Sequence, residues 1–322
     1  MRYPPEDMVH TAVAYIVFNR PQYTEKTFEV LRQQRPAKLY VIADGPRPGH
    51  PTDVERCTRV REIVAQVDWP CEVHRNYAES NLGLKRRVSS GLDWVFSQEE
   101  CAIILEDDCL AHPDFFRFCD ELLVRYADDA RVAVVTGNNF QKGRLRGDAS
   151  YYFSKYNHCW GWATWRRAWK NYHGELPFWP QWCKSPAWKI QVPDRVERRY
   201  WEQIFDTVCA GKIDSWAYPW TASVWFHGGL TATPNVNLVS NIGFGVDATH
   251  TTWESSPLAA VPTKELLELR HPMSVAQDFA ADRYAFDHAF GGNRLRFPYS
   301  FLRIVKNYLV TGLRHFRRFL RG

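Results

Sequence analysis

The sequence predicts an α/β protein built on a mostly parallel, Rossmann-like sheet, and two observations carry that expectation. Over the first 140 residues short apolar runs alternate with amphipathic helical stretches. Strands joined by helices of that length form right-handed βαβ units. The fourth apolar run, Ile103-Ile104-Leu105, ends in three consecutive acids, Glu106-Asp107-Asp108. In open α/β sheets, ligands bind beyond the carboxyl ends of the strands, so these acids fall where a site is expected.

Taken in order, residues 12–19 (AVAYIVFN) read as a strand and Tyr23–Gln34 as a helix. Leu39–Ala43 is a second strand ending at Asp44-Gly45-Pro46, followed by an amphipathic helix over Thr52–Gln66. Cys71–Arg75 is a third strand and Leu84–Ser97 a helix. Ala102–Leu105 is the fourth strand, Pro113–Tyr126 a helix opened by its proline, and Val132–Thr136 a fifth strand. The regularity fades after Asn139. Three segments result: a nucleotide-binding half over 10–140, an acceptor-shaping half over 141–293, and a tail over 294–322.

With 322 residues, 45% hydrophobic and 24% charged, the chain can bury a substantial core and belongs with folded soluble proteins. Fourteen Trp are unusual, and most lie between Trp160 and Trp253. Flat apolar rings stack on the C–H faces of sugars, so this half is compatible with carbohydrate handling; a core padded with large residues is the plainer reading of any one ring. The eight Cys are scattered without a C-x-x-C pair, as reduced buried thiols are. No apolar leader and no run of membrane-spanning length occurs, which predicts a cytosolic compartment.

The net charge of +5 hides an asymmetry, because Arg294–Gly322 carries eight basic groups and no acid, leaving about −3 elsewhere. The body is therefore not a nucleic-acid binder by charge. In the tail, Phe301, Ile304, Val305, Tyr308, Leu309, Leu313, Phe316 and Leu320 recur at helical spacing among the basic residues. A basic amphipathic helix of this kind either lies on an anionic membrane surface or packs on the domain with a solvated basic face.

Three crowded carboxylates repel one another unless a cation neutralises them, and Mg²⁺ or Mn²⁺ prefers such oxygens. The alternative is an acidic first turn for the helix at Pro113, favoured by the helix dipole. Other polar groups mark the remaining strand ends. Asn19-Arg20 follows the first strand, and Asp44 follows the second, where it can accept from a uracil N–H or a ribose hydroxyl. Asn81-Leu82-Gly83-Leu84-Lys85 precedes the third helix, with Gly83 freeing the backbone and Lys85, Arg86 and Arg87 offering charge to a phosphate. Singly these are turn and cap residues; together, on one sheet edge, they favour a nucleotide site.

The order NRP after a strand, ADG after a strand, NLGLK before a helix, and ILEDD followed by PDFF resembles a GT-A glycosyltransferase, with EDD as its DxD-type motif. The chain is similar to bacterial family-2-like transferases of polysaccharide synthesis and, more distantly, to N-acetylglucosaminyltransferase I-type enzymes. Residues 156–169 (YNHCWGWATWRRAW), 234–241 (PNVNLVSN) and 242–251 (IGFGVDATHT) extend the resemblance, which spans about residues 10–255. It implies that Asn19, Arg20 and Asp44 contact the nucleoside, with Lys85 near the diphosphate and Asn81 among the donor-binding residues. It further implies that Glu106 and Asp107 hold ribose and donor sugar, that Asp108 binds the metal, and that His250 lies near diphosphate and metal.

One departure concerns the catalytic base. Inverting transfer needs a carboxylate to take the acceptor hydroxyl proton. The resemblance implies an Asp after the first Trp of a W-D-x-x-W-like segment, but this chain reads Ser215-Trp216-Ala217-Tyr218-Pro219-Trp220. Ala217 has no carboxylate, leaving Asp214, and Glu202 or Asp206 on a preceding helical stretch, as candidates. The resulting expectation is a Mn²⁺- or Mg²⁺-dependent, inverting transferase. It would move a sugar from a nucleotide diphosphate, UDP favoured, to a glycan or lipid-linked acceptor at the cytosolic membrane face. Its rivals are a nucleotidyltransferase of the same fold and a degenerate, non-catalytic binder of nucleotide sugar or glycan.

Overall fold

A computed structural model describes residues 9–244 and 258–299. His250 and the tail beyond Tyr299 lie outside the described residues. The elements run β1 (Val13–Val17), α1 (Pro21–Gln34), β2 (Lys38–Ala43), α2 (Asp53–Val64), β3 (Glu72–Tyr77), α3 (Leu84–Gln98), β4 (Cys101–Glu106), β5 (Cys109–Ala111), α4 (Pro113–Arg125) and β6 (Val132–Thr136). They continue with β7 (Tyr151–Ser154), β8 (Trp162–Trp165), α5 (Arg166–Trp169), α6 (Trp179–Trp182), α7 (Pro186–Gln191), α8 (Arg195–Cys209), α9 (Ala217–Phe226), β9 (Leu230–Pro234), β10 (Val239–Asn241), α10 (Phe279–His288) and α11 (Gly292–Leu295).

The main sheet has eight strands in the order β3-β2-β1-β4-β8-β6-β9-β7, and β5 pairs with β10 in a small antiparallel ribbon. β3, β2, β1 and β4 are mutually parallel, as are β6 and β9. The α/β class and the mostly parallel, Rossmann-like sheet are thus as the sequence predicts. Every residue of β1 is buried, which is why its run is apolar throughout rather than alternating. Alternate side chains enter different layers: Val13, Tyr15 and Val17 pack with Phe28, Val60 and Phe115 of α1, α2 and α4, whereas Ala14 and Ile16 share a core with Val88 and Leu92 of α3.

The second half joins the same sheet. β8 enters between β4 and β6, antiparallel to both. The sequence signals for a fourth and fifth strand are therefore right, but the strands are not neighbours. α9 is buried along Pro219–Trp225, as a helix apolar on all sides must be. Of the fourteen Trp, eleven are buried, Trp94 and Trp160 are partly exposed, and Trp253 lies outside the described residues. Pairs such as Trp162 and Trp216, stacked with ring centroids 5.3 Å apart, show what the Trp-rich half is for. Each indole removes roughly 150–250 Å² from water, so most of these rings build a core instead of meeting a sugar. Among the described residues, no helix is long and apolar enough to cross a membrane.

Candidate functional site

The parallel register brings the ends of β1, β2, β3 and β4 to one edge, with Val17 beside Ala43, Ala43 beside Tyr77, and Ile16 beside Glu106. Glu106 is the last residue of β4; Asp107 and Asp108 turn the chain into β5. Asp107 and Asp108 are both buried. Arg20, three residues beyond β1, donates to Asp107 and lies 3.0 Å from Asp108 Oδ2. The cation that the acids require is thus already supplied in part by the chain. Burial, together with Asp108 and Asp107, pushes the Glu106 carboxyl well above its usual range. Burial also raises Asp107, and Arg20 holds that rise back. Burial lowers Arg20, and the charges of Asp107 and Asp108 more than reverse it.

Asp44 is buried directly beyond β2. Its Oδ1 accepts from the backbone N–H of Gly45 at 2.8 Å and of Leu82 at 2.9 Å, while Oδ2 accepts from Asn81 Nδ2 at 2.9 Å. Burial raises its pKa, and those backbone donors oppose the rise. Asp44 therefore clamps the Asn81–Gly83 turn to the sheet edge. Gly45 must be glycine here, because an added Cβ would fall 2.5 Å from the Ser80 carbonyl carbon. Lys85 reaches outward to Glu175 at 2.6 Å, and Arg87 is buried on Asn76 rather than facing a ligand.

Asn19 donates to Asp53 at 2.8 Å, and Asp53 also receives Arg47 Nε and Nη2 at 2.7 and 2.9 Å. The Arg47 hydrogen bonds hold the Asp53 carboxyl well below the usual carboxylate range. Sequence reasoning singled out Asn19 but not its partner Asp53 or Arg47. Asp53 looked like an ordinary acidic first-turn residue of α2, and nothing in the local pattern paired it with β1.

A second wall comes from the later half of the chain. Asn241 of β10 pairs with Cys109, and the Ile242 N–H donates to the Asp108 carbonyl at 2.9 Å. Gly243 then passes so close that a Cβ there would lie 2.3 Å from Asp108 Oδ2 and 2.8 Å from Arg20 Nη1. Beside it Phe244 meets Trp160 edge-on, ring centroids 5.4 Å apart. The charges of Glu106 and Asp108 reach the Cys159 thiol, which is raised chiefly by burial. The acids, Arg20, Asn19 and Asp44 thus share one edge, walled by Gly243, Phe244, Cys159 and Trp160.

The candidate bases are engaged elsewhere. Asp214 accepts from the backbone N–H groups of Leu84 at 3.1 Å and Lys85 at 3.0 Å, capping the N-terminus of α3 from 130 residues away. Glu202 accepts from the Trp188 indole N–H at 2.9 Å, and Asp206 from Trp179 at 2.7 Å. Ala217 opens a helix rather than continuing an extended segment. Ser215 starts it by accepting from the Ala217 N–H.

Among the described residues, no group of three or more His, Cys, Asp or Glu side chains is arranged to hold a metal ion. The donor set therefore does not make a protein cage. It does fit a hard cation delivered on phosphate oxygens, since Mg²⁺ takes only one or two carboxylates beside a bound phosphate. Asp108 would offer Oδ1, which lies 3.5 Å from the weakly donating Cys109 thiol.

No protein-family model matches this chain, and no curated protein matches it by sequence. Among solved structures, CMP:2-keto-3-deoxy-manno-octonic acid synthetase complexed with CTP is 14% identical, with a TM-score of 0.34, over 69% of this chain and 88% of that one. UDP-glucose pyrophosphorylase complexed with UDP-glucose is 9% identical, with a TM-score of 0.25, over 45% and 62%. Likenesses at such scores carry no functional weight.

Proposed function

We propose that this chain is a metal-dependent, inverting glycosyltransferase that takes a sugar from a nucleotide-diphosphate donor, UDP favoured, for a glycan or lipid-linked acceptor. One observation carries the reading: three acids at the end of β4 converge with Arg20 on the sheet edge that also holds Asn19 and Asp44. In this reading Asp108 holds a Mn²⁺ or Mg²⁺ ion that arrives with the diphosphate and offsets the charge on the departing group. Arg20 pairs with Asp107 and Asp108 and would offer its guanidinium to the phosphates beside such an ion. Asn81 and Lys85 flank the start of α3, whose first N–H groups already hold the Asp214 carboxylate, so a diphosphate there would be met by the Lys85 charge and not by the helix end. The basic tail would hold the enzyme at an anionic membrane surface; truncation ahead of Phe297 should release it from phosphatidylserine vesicles while leaving UDP binding intact.

Nucleotidyl transfer is the weaker reading, because such enzymes need a glycine-rich phosphate loop after the first strand. Only Phe18, Asn19 and Arg20 separate β1 from α1, and none is glycine. A non-catalytic binder has a specific observation in its favour: Asp214 and Glu202 are both committed to structural hydrogen bonds. Turnover decides. The protein, with Mn²⁺ and a panel of UDP-sugars, should release UDP. Pyrophosphate release from a nucleoside triphosphate and a sugar phosphate would favour the second reading. UDP-sugar binding without any turnover would favour the binder.

A further inference from the structure

Three large apolar side chains stand out from the flank where β7 ends the main sheet. Met273 is fully exposed, Leu145 is 71% exposed and Phe279 66%. Met273 and Phe279 line one cavity of about 430 Å³ together with Arg146 and with Tyr152 of β7. Leu145 sits between Arg144 and Arg146, whose guanidinium groups lie over the Tyr284 ring, 4.5 and 5.7 Å from its centroid. Tyr284 belongs to α10, the helix that Phe279 begins. Neither segment is a loose loop. The Arg146 N–H donates to Asn235 Oδ1 at 2.8 Å, and Asn235 Nδ2 donates to the Arg146 and Ala149 carbonyls at 2.9 Å each. Met273 is pinned on both sides: the Ser150 N–H donates to the Arg270 carbonyl at 2.9 Å, and the Asp278 N–H to the Phe153 carbonyl at 2.8 Å.

A single exposed apolar side chain is ordinary, but three held out around one cavity beside a basic loop call for a partner. Residues 142–148 carry three bases and one acid. Arg146 gives its Nε and Nη2 to the neutral Gln141 Oε1, at 2.8 and 2.6 Å, so that contact leaves its charge uncancelled. Asp278, the other acid at the cavity, accepts from the Ala281 N–H at 2.8 Å and caps α10. A side chain as exposed as Met273 stands out as a point rather than as part of a flat face, and a fluid lipid interface takes such points without a matching shape. Bases interleaved with protruding apolar groups are the chemistry of an anionic membrane surface. We infer that this flank is a second membrane-docking face, with Leu145, Met273 and Phe279 entering the headgroup region and Lys142 and Arg144 meeting the anionic lipids. The inference rests on the membrane-bound reading but on residues separate from the tail, and stable attachment to a membrane takes two such signals.

The test mixes the full chain with vesicles of phosphatidylserine and phosphatidylcholine in equal parts, or of phosphatidylcholine alone. Sedimentation reads the bound fraction, and hydrogen exchange reads which segments become protected. The parent should bind the mixed vesicles, and residues 142–148 and 272–279 should then exchange more slowly. Leu145→Ser, Met273→Ser and Phe279→Ser together should weaken that binding roughly tenfold. Lys142→Gln with Arg144→Gln should weaken it by a similar factor, since each base near an anionic leaflet is worth about fivefold. All five side chains are exposed, so both variants should melt with the parent. Variants that bind as the parent does, or protection confined to residues beyond 299, overturn the second face and leave the tail as the anchor. Equal binding to the two kinds of vesicle also overturns it. Slower exchange of the two segments on concentrating the protein without vesicles marks a second copy of the chain as the occupant, which overturns it as well. A parent that stays off both kinds of vesicle overturns the face and the tail together.

Discussion

Removing Arg20 tests the electrostatic logic of the site most sharply. Arg20→Met keeps the apolar stem and deletes the guanidinium that donates to Asp107 and lies 3.0 Å from Asp108. The side chains of Asp107 and Asp108 are 3% and 11% exposed, and Arg20 is 17% exposed, so the pairing is largely shielded from water. Breaking a buried pair by removing one partner costs about 3–5 kcal/mol, because the abandoned charge stays buried. For a chain of 322 residues that corresponds to a fall of roughly 4–7 °C in Tm. The loss should depend on pH in a defined direction. At pH 7.5 Asp107, whose pKa burial raises even beside Arg20, must stay ionised or take up a proton at a cost, so the defect is full; toward pH 5 it protonates readily and the defect shrinks. Mn²⁺ with UDP should also restore much of the lost stability, since the ion replaces the missing cation. Differential scanning calorimetry across pH, with and without Mn²⁺ and UDP, reads all three effects. An Arg20→Met protein as stable as the parent at every pH, and indifferent to Mn²⁺, would refute the reasoning.

Three further outcomes are expected. Asp44→Ala should release the Asn81–Gly83 turn and weaken every uridine nucleotide by roughly 1.5–3 kcal/mol; unchanged calorimetric affinity would leave Asp44 with its clamping role alone. Gly243→Ala puts a methyl 2.3 Å from Asp108 Oδ2, so it should displace Asp108 and cost at least tenfold in Mn²⁺-dependent UDP affinity with little change in circular dichroism, an expectation that unaltered binding would overturn. Burial pushes Asp282 up to about 6, against the pull of Lys155 and Ser154. A carboxyl raised in the folded state binds more protons there than in the unfolded chain, so stability should fall as pH rises from roughly 4 to 6. Denaturant titrations should find the parent more stable near pH 5 than near pH 7.5. Asp282→Asn should flatten that difference; an identical pH slope in the variant would contradict the assignment.

The first half of the fold was legible because physics there is local. β1, β2 and β4 are apolar runs bounded by turn and cap residues, and Pro21 and Pro113 open helices within a residue or two of the expected starts. The sheet order in the second half was not legible. β8 is only four residues, Trp162–Trp165, and its insertion between β4 and β6 is decided by long-range pairing that no window of sequence contains. The site divides in the same way. Strand-end position brought Asn19, Arg20, Asp44 and the Glu106–Asp108 run to one edge, but sequence gave no partner for any of them. Arg20 binding Asp107, Asp53 holding Asn19, and Asp214 capping α3 are contacts across 87, 34 and about 130 residues. The Trp-rich half misleads for a related reason, since composition counts rings and cannot say that ten of those in this half are inside.

In the proposed function a divalent cation and a nucleotide diphosphate bind together at Asp108. Titration calorimetry of UDP against the parent and Asp108→Ala, each with Mn²⁺ and with EDTA, tests it directly. The parent should bind UDP in a manner that EDTA abolishes, and Asp108→Ala should bind none, although the variant's circular dichroism and melting in nucleotide-free buffer mark it as folded. Equal UDP affinity in parent and variant, indifferent to EDTA, would contradict it.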